Sequence, residues 1–244
     1  MKYTEQRTVG YYDCDFSGTL SPRRYAAFMH EVAYNACKKL GPSPDKMRER
    51  TIAFFLSGIN FKFYASVRED DILDITTWAN PAKGAFWPRN YSVSRCNELI
   101  AEAASIWTIV NTETRVITRP DALTGIDLPL CGDTLSFTAN RKLPIPENAE
   151  TIGEHTINLA EIDTNGHMNN SVYLDLIYAH LPVSELKPFR INAIDLAYSG
   201  EAKLGETITI NRAIESDCVY ISGKRADNKP CFESKVTCEN LLPR

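Results

Sequence analysis

"DTNGHMNNSVY", Asp163–Tyr173, sets one Asp, three Asn, a Gly and a His between two apolar runs, and a related segment, "DFSGTLSPRRY", occupies Asp15–Tyr25. Asp15, Gly18 and Tyr25 hold the same places in the first segment as Asp163, Gly166 and Tyr173 hold in the second. The residues after each segment are also alike. Beyond Tyr25, the residues Phe28, Met29, Val32, Ala33, Ala36, Cys37 and Leu40 form an apolar stripe at helical spacing that ends at Gly41 and Pro42. Beyond Tyr173, the residues Leu174, Leu176, Ile177, Tyr178 and Leu181 are apolar nearly all round and stop at Pro182, the pattern of a buried helix.

A train of strand-like runs comes after each helix, rich in β-branched and aromatic residues and separated by turn residues. In the first half these are "INFKFYA" (Ile59–Ala65), "ILDITTWA" (Ile72–Ala79), "FWPRNYSVSRC" (Phe86–Cys96) and "AEAASIWTIVNTE" (Ala101–Glu113). In the second they are "INAIDLAYS" (Ile191–Ser199), "ETITINRAIE" (Glu206–Glu215), "CVYISGKR" (Cys218–Arg225) and "CFESKVTCE" (Cys231–Glu239). One more strand precedes each helix, at Thr4–Tyr12 and Glu150–Leu159. The order strand, helix, about four strands thus occurs twice, with antiparallel pairing expected from the short later connections. The fold class predicted is α+β: two copies, residues 1–133 and 134–244, of a sheet wrapped around a helix. The Pro-bearing connector Arg119–Glu147 marks the join.

Duplication separates what a loop needs for shape from what it carries for chemistry. Gly suits the turn, Asp an Asx turn and Tyr helix packing. Ser21, and Asn169 or Asn170, are placed to cap a helix N-terminus, with Pro22 at a first helical position. Asn165 and His167 are different: the first copy has Ser17 and Thr19 there and makes the same turn. Histidine is the commonest acid/base group near neutral pH, so His167 with Asn165 is the candidate site. His30 and His180 read as helix-face residues and His155 as strand surface.

Composition narrows the function. The formal net charge of −4 and pI near 5.7 leave no global positive field for nucleic acid or an anionic membrane. The seven Cys contain no C-x-x-C pair, and the start "MKYTEQRTVGYYDCDF" has neither a signal-like basic-then-apolar pattern nor a transit-like Ser/Arg-rich one. Reduced thiols, a cytoplasmic protein and a bacterial source are expected. No apolar run approaches the roughly 18 residues of a membrane-spanning helix.

These residues resemble the acyl-acyl-carrier-protein thioesterase family. "DTNGHMNNSVY" matches its D-x-N-x-H-V-N-N-x-x-Y motif with Met168 for Val; "SIWTIVNTETRVITRP" is similar to the run ending its first half, "LSPRRYAAFMHEVAYNACKKLG" to its first central helix, and "LAYSGEAKLGETI" to its Y-x-x-E-C/A-x-x-G-D segment. The resemblance implies a tandem hotdog fold, each half an antiparallel sheet around a long central helix, and hydrolysis of fatty acyl thioesters without cofactor or metal. It maps the site onto Asp163, Asn165, His167 and Glu201, with the residues near Asn169 and Asn170 as an oxyanion region at a helix N-terminus. Plant members carry Cys after the glutamate; here it is Ala202, so a thiolate nucleophile at that position is excluded. Water is then the expected nucleophile, with Glu201 as general base, or His167 as base and Glu201 its orienter.

The first half, lacking Asn and His, is expected to supply the acyl pocket from among Phe28, Met29, Val32, Ala53, Phe54, Phe55, Ile59, Phe61 and Trp107. The partner implied is acyl carrier protein with its acylated phosphopantetheine, docking on Arg23, Arg24, Lys38, Lys39, Lys83 and Arg89. Alternatives are an acyl-CoA thioesterase of the same fold and a non-catalytic acyl-binding protein, as monomer or homodimer.

Overall fold

In the computed structural model, which describes residues 1–118, 120–126, 129–183 and 189–239, ten strands form one sheet. The first half holds β1 (Tyr3–Thr8), α1 (Pro22–Leu40), the short α2 (Pro44–Glu49), β2 (Ile52–Phe63), β3 (Ile72–Ala79), β4 (Phe86–Arg95) and β5 (Glu98–Asn111). The second holds β6 (Glu150–Thr156), α3 (Val172–Ala179), β7 (Arg190–Tyr198), β8 (Thr207–Glu215), β9 (Cys218–Arg225) and β10 (Pro230–Glu239). The sheet order is β1-β3-β4-β5-β2-β7-β10-β9-β8-β6, so the halves repeat one topology and meet where β2 pairs antiparallel with β7. This is the tandem hotdog expected.

Matching atoms confirm the duplication. Asp15 N–H donates to Thr19 O at 2.8 Å and Asp163 N–H to His167 O at 3.0 Å. Gly18 and Gly166 both take positive φ, 72° and 81°, which only glycine adopts without strain. Asp15 and Asp163 each accept the N–H two residues on, from Ser17 and Asn165, at 2.8 Å. Tyr25 and Tyr173 are buried against the core.

The helices show where local rules and tertiary context part. Ser21 caps α1 by accepting the Arg24 N–H, and Pro22 opens the helix. In the second half neither Asn169 nor Asn170 is the N-cap; Ser171 is, without a side-chain cap bond. The cause is a tight turn in which Asn169 Oδ1 accepts from both Ser171 N–H and Ser171 Oγ at 2.9 Å, delaying the helix to Val172. With Pro182 close behind, α3 keeps only 8 residues against 19 in α1, so the long central helix belongs to the first half alone. Val172, Tyr173, Leu174, Leu176 and Ile177 are all buried, as the apolar surround predicts. Both helices join one continuous core with strands of both halves.

The connector crosses the β2–β7 seam. Asn140 Nδ2 donates to Asp195 Oδ2 at 2.5 Å and Asn60 Nδ2 to Thr138 O at 3.3 Å, and Gly58 on β2 pairs with Ala197 beneath Asn140. No helix among the described residues is long and apolar enough to cross a membrane.

Candidate active site

The loop from Asp163 to Asn170 is held from three sides: Met168 N–H donates to Ala202 O at 2.8 Å, Asn169 N–H to Glu161 O at 2.9 Å, and Tyr198 Oη to Asn170 O at 2.9 Å. Asp163 grips Asn165 twice, through its backbone N–H and through Nδ2 at 3.3 Å. His167 Nδ1 stands 3.9 Å from Asp163 Oδ1 and Nε2 stands 3.8 Å from Glu201 Oε1. Both distances are too long for direct hydrogen bonds, so the imidazole stands between the two carboxylates without bonding either. Phe55 of β2 packs beside the imidazole, ring centres 6.2 Å apart. Glu201, distant in sequence, thus comes beside the loop because its neighbour Ala202 pairs with Met168.

The copy in the first half has the same scaffold. Leu20 N–H donates to Val67 O as Met168 does to Ala202 O, and Arg68 N–H bonds Asp71 as Lys203 N–H bonds Glu206. Val67 therefore answers to Ala202, and Ser66 stands where Glu201 does. The first copy lacks Asn, His and Glu together. That third loss is invisible in the opening motif and emerges only from the pairing.

Asp163, Thr164, Asn165, Asn169 and Asn170 form one wall of a cavity of about 740 Å³, whose remaining walls come chiefly from the first half: Ala33, Ala36 and Cys37 of α1, Met47 of α2, Ala53 and Phe54 of β2, Trp87 of β4 and Trp107 of β5. Of the expected lining residues, Ala53, Phe54 and Trp107 are there; Phe28, Met29, Val32, Ile59 and Phe61 are core, and Phe55 packs on His167. Of the N–H groups from Met168 to Val172, that of Asn170 alone makes no hydrogen bond among the described residues. Asn170 lines the cavity just before the positive end of α3.

Arg89, expected at the docking surface, turns inward, and His30 faces the same cavity. Arg89 lines the cavity and donates to Thr77 Oγ1 at 3.2 Å and Cys37 Sγ at 3.6 Å, because its position on β4 faces α1. It is withdrawn from the docking set, in which Arg23, Arg24 and Lys39 are already paired with Asp175, Asp13 and Glu5. His30 is on the helix face, as expected, and that face forms cavity wall. Its Nε2 is sealed and unpartnered among the described residues, and burial pushes its pKa down to about 4. The unfolded imidazole therefore binds a proton that the folded one refuses, and stability falls as pH is lowered from about 6.5 towards 4. A shift of this size corresponds to about 3 kcal/mol. Urea melts at pH 7 and pH 4.5 should show His30→Phe losing less stability than wild type; equal losses would refute the assignment.

Cys231 lies beside the residue preceding Glu201, its Sγ donating to Gly200 O at 3.3 Å and standing 3.5 Å from Tyr173 Oη. Burial raises its pKa, so it stays a protonated structural thiol and no nucleophile.

With this geometry in view, comparison with known proteins adds the family. Residues 1–122 match the acyl-ACP thioesterase N-terminal domain and residues 146–233 the C-terminal domain. The chain belongs to the acyl-ACP thioesterase family. Relatives include the chloroplastic oleoyl-acyl carrier protein thioesterase of Coriandrum sativum, 24% identical over 85% of this chain and 61% of its own length, and oleoyl-acyl carrier protein thioesterase 2 of Arabidopsis thaliana, 23% identical over 96% and 68%. This member of the family thus spans about three fifths of the coriander enzyme. The crystal structure of an acyl-ACP thioesterase from Bacteroides thetaiotaomicron superposes with TM-score 0.89 at 20% identity, covering 98% of both chains. The 12:0-ACP thioesterase of Umbellularia californica gives 0.87 at 16%, covering 98% of this chain and 97% of that one. At these identities the likeness establishes the fold.

Proposed function

We propose that this chain hydrolyses fatty acyl-[acyl-carrier-protein] to free fatty acid and carrier protein, in the cytoplasm and as a step of fatty acid biosynthesis. Residues 134–244 supply the reacting groups and residues 1–133 the acyl cavity. The observation that carries the reading is the asymmetry of two like loops: the one retaining Asp163, Asn165 and His167 walls the large cavity, and its partner retains only the scaffold.

The groups present dictate the chemistry. The acyl chain enters the cavity with its carbonyl oxygen near the Asn170 N–H. Water, held by Asn165, adds to the carbonyl carbon while the His167–Glu201 pair takes its proton. The tetrahedral oxyanion collapses, the C–S bond breaks, and the sulfur leaves as a thiolate or takes the proton from His167. Asp163 keeps Asn165 in place. Neither metal nor nucleotide is needed.

Thiol release from acyl-carrier-protein and acyl-CoA, measured side by side with a chromogenic disulfide, tests the assignment. A kcat/KM higher on the carrier protein is expected. Higher turnover of CoA esters would move the role to free acyl-CoA, and no release from either would leave a binding module. The cavity also sets a chain-length prediction: Ala36, buried on α1, lines it, so Ala36→Phe should shift preference to shorter acyl chains by about tenfold or more in relative kcat/KM. An unchanged profile would remove α1 from the acyl site.

A further inference from the structure

The candidate cluster in the second half is joined by a charged residue from the first. Arg115 Nη1 lies 2.8 Å from Glu201 Oε1, the same oxygen that faces His167 Nε2 at 3.8 Å. Its guanidinium also lies 5.9 Å from the ring centre of Phe55, the residue packed on His167. Arg115, Glu201, His167 and Phe55 thus close a ring of contacts.

The chain builds a specific loop to deliver this side chain. Leaving β5, Asn111 Oδ1 accepts from the N–H groups of Glu113 at 3.0 Å and Thr114 at 2.8 Å, and from Thr114 Oγ1 at 3.1 Å. Arg115 N–H then donates to Asn111 O, and Asn111 N–H to Val116 O, both at 2.9 Å. The tight turn puts Arg115 at φ 60°, a left-handed backbone that crowds its Cβ against the following carbonyl oxygen. The ion pair does not offset that strain: with Arg115 53% exposed and Glu201 29%, solvent screens most of its attraction. Its consequence is geometric. One carboxylate oxygen is fixed in front of the imidazole, and its negative charge is already partly answered.

We infer, resting on the hydrolase reading above, that Arg115 is a positioning residue of the active site. It reaches across the two halves to hold Glu201 as the fixed anionic partner of His167, which makes His167 the proton acceptor. In that sequence water loses a proton to His167 as its oxygen bonds the carbonyl carbon, Glu201 takes no proton, and the proton returns from His167 to the departing sulfur. Arg115 takes part in no proton transfer and acts only through Glu201.

A double-mutant cycle tests this on a wild-type enzyme first shown to release thiol. Arg115→Gln should lower kcat about 10- to 100-fold with KM changed less than about twofold, the scale of a misplaced catalytic group. Arg115→Lys, which keeps a charge without the fork, should recover part of the loss. In a Glu201→Gln background, Arg115→Gln should cost no more than about twofold, since the partner it acts through is gone. Multiplying losses, a rise in KM at constant kcat, or a neutral Arg115→Gln would overturn the inference while leaving the hydrolase reading intact. A wild type releasing no thiol from any acyl thioester would remove both.

Discussion

His167→Ala should lower kcat on acyl-carrier-protein by about 10² to 10⁴-fold, the span that a positioned acid/base group contributes, with KM nearly unchanged. The side chain makes no direct hydrogen bond among the described residues, since its nearest acidic oxygens stand at 3.8 and 3.9 Å, so removing it leaves no polar group stranded. The scaffold also folds without it: the first copy carries Thr19 at that place with the same loop bonds. Circular dichroism and melting temperature should therefore match wild type. Asn165→Ala should behave likewise, because the turn rests on the Asn165 N–H to Asp163 Oδ1 bond, which alanine retains. Turnover within about threefold of wild type in His167→Ala would show that the loop histidine takes no proton.

Gly58→Ala should give the largest loss of stability of any single added methyl. A Cβ at Gly58 would lie 1.9 Å from Asn140 O and 2.9 Å from Asn140 C, both backbone atoms of the connector packed over the β2–β7 seam. No rotamer change relieves a backbone overlap. The connector would have to lift, surrendering the Asn140–Asp195 and Asn60–Thr138 bonds. The expected cost is about 3 kcal/mol or more, or a fall in Tm of roughly 6–12 °C for a chain of this size. Gly132→Ala, where nothing lies within 4 Å, is the control and should be near neutral. Equal melting of the two variants would mean that the connector does not rest on the seam.

The duplicated fold is legible in the amino-acid sequence because the features that specify it are local. Gly18 and Gly166 answer a backbone requirement, Asp15 and Asp163 a turn, Tyr25 and Tyr173 a packing position, and all survive divergence between the halves. The candidate residues Asn165 and His167 stand out because the scaffold does not need them. The features that the sequence hides depend on contacts between distant segments. Arg115 reaches Glu201 only because β2 and β5 of one half lie against the other, and Ser66 answers to Glu201 only through parallel backbone bonds. Arg89 misleads for a similar reason: a charged residue on a strand reads as solvated, and only α1 crossing that face makes it interior. The late start of α3 is likewise set by a side-chain turn, Asn169 with Ser171, that competes with helix capping.

The central claim is a division of labour between two copies of one loop, and matched triple variants test it most directly. In one, Asn165, His167 and Glu201 become Ala, Ala and Gln; in the other, Ser17, Thr19 and Ser66 all become Ala. Turnover of acyl-carrier-protein should vanish in the first and stay within about threefold of wild type in the second, with both melting near wild type. Activity that survives in the first, or falls equally in both, would contradict the account.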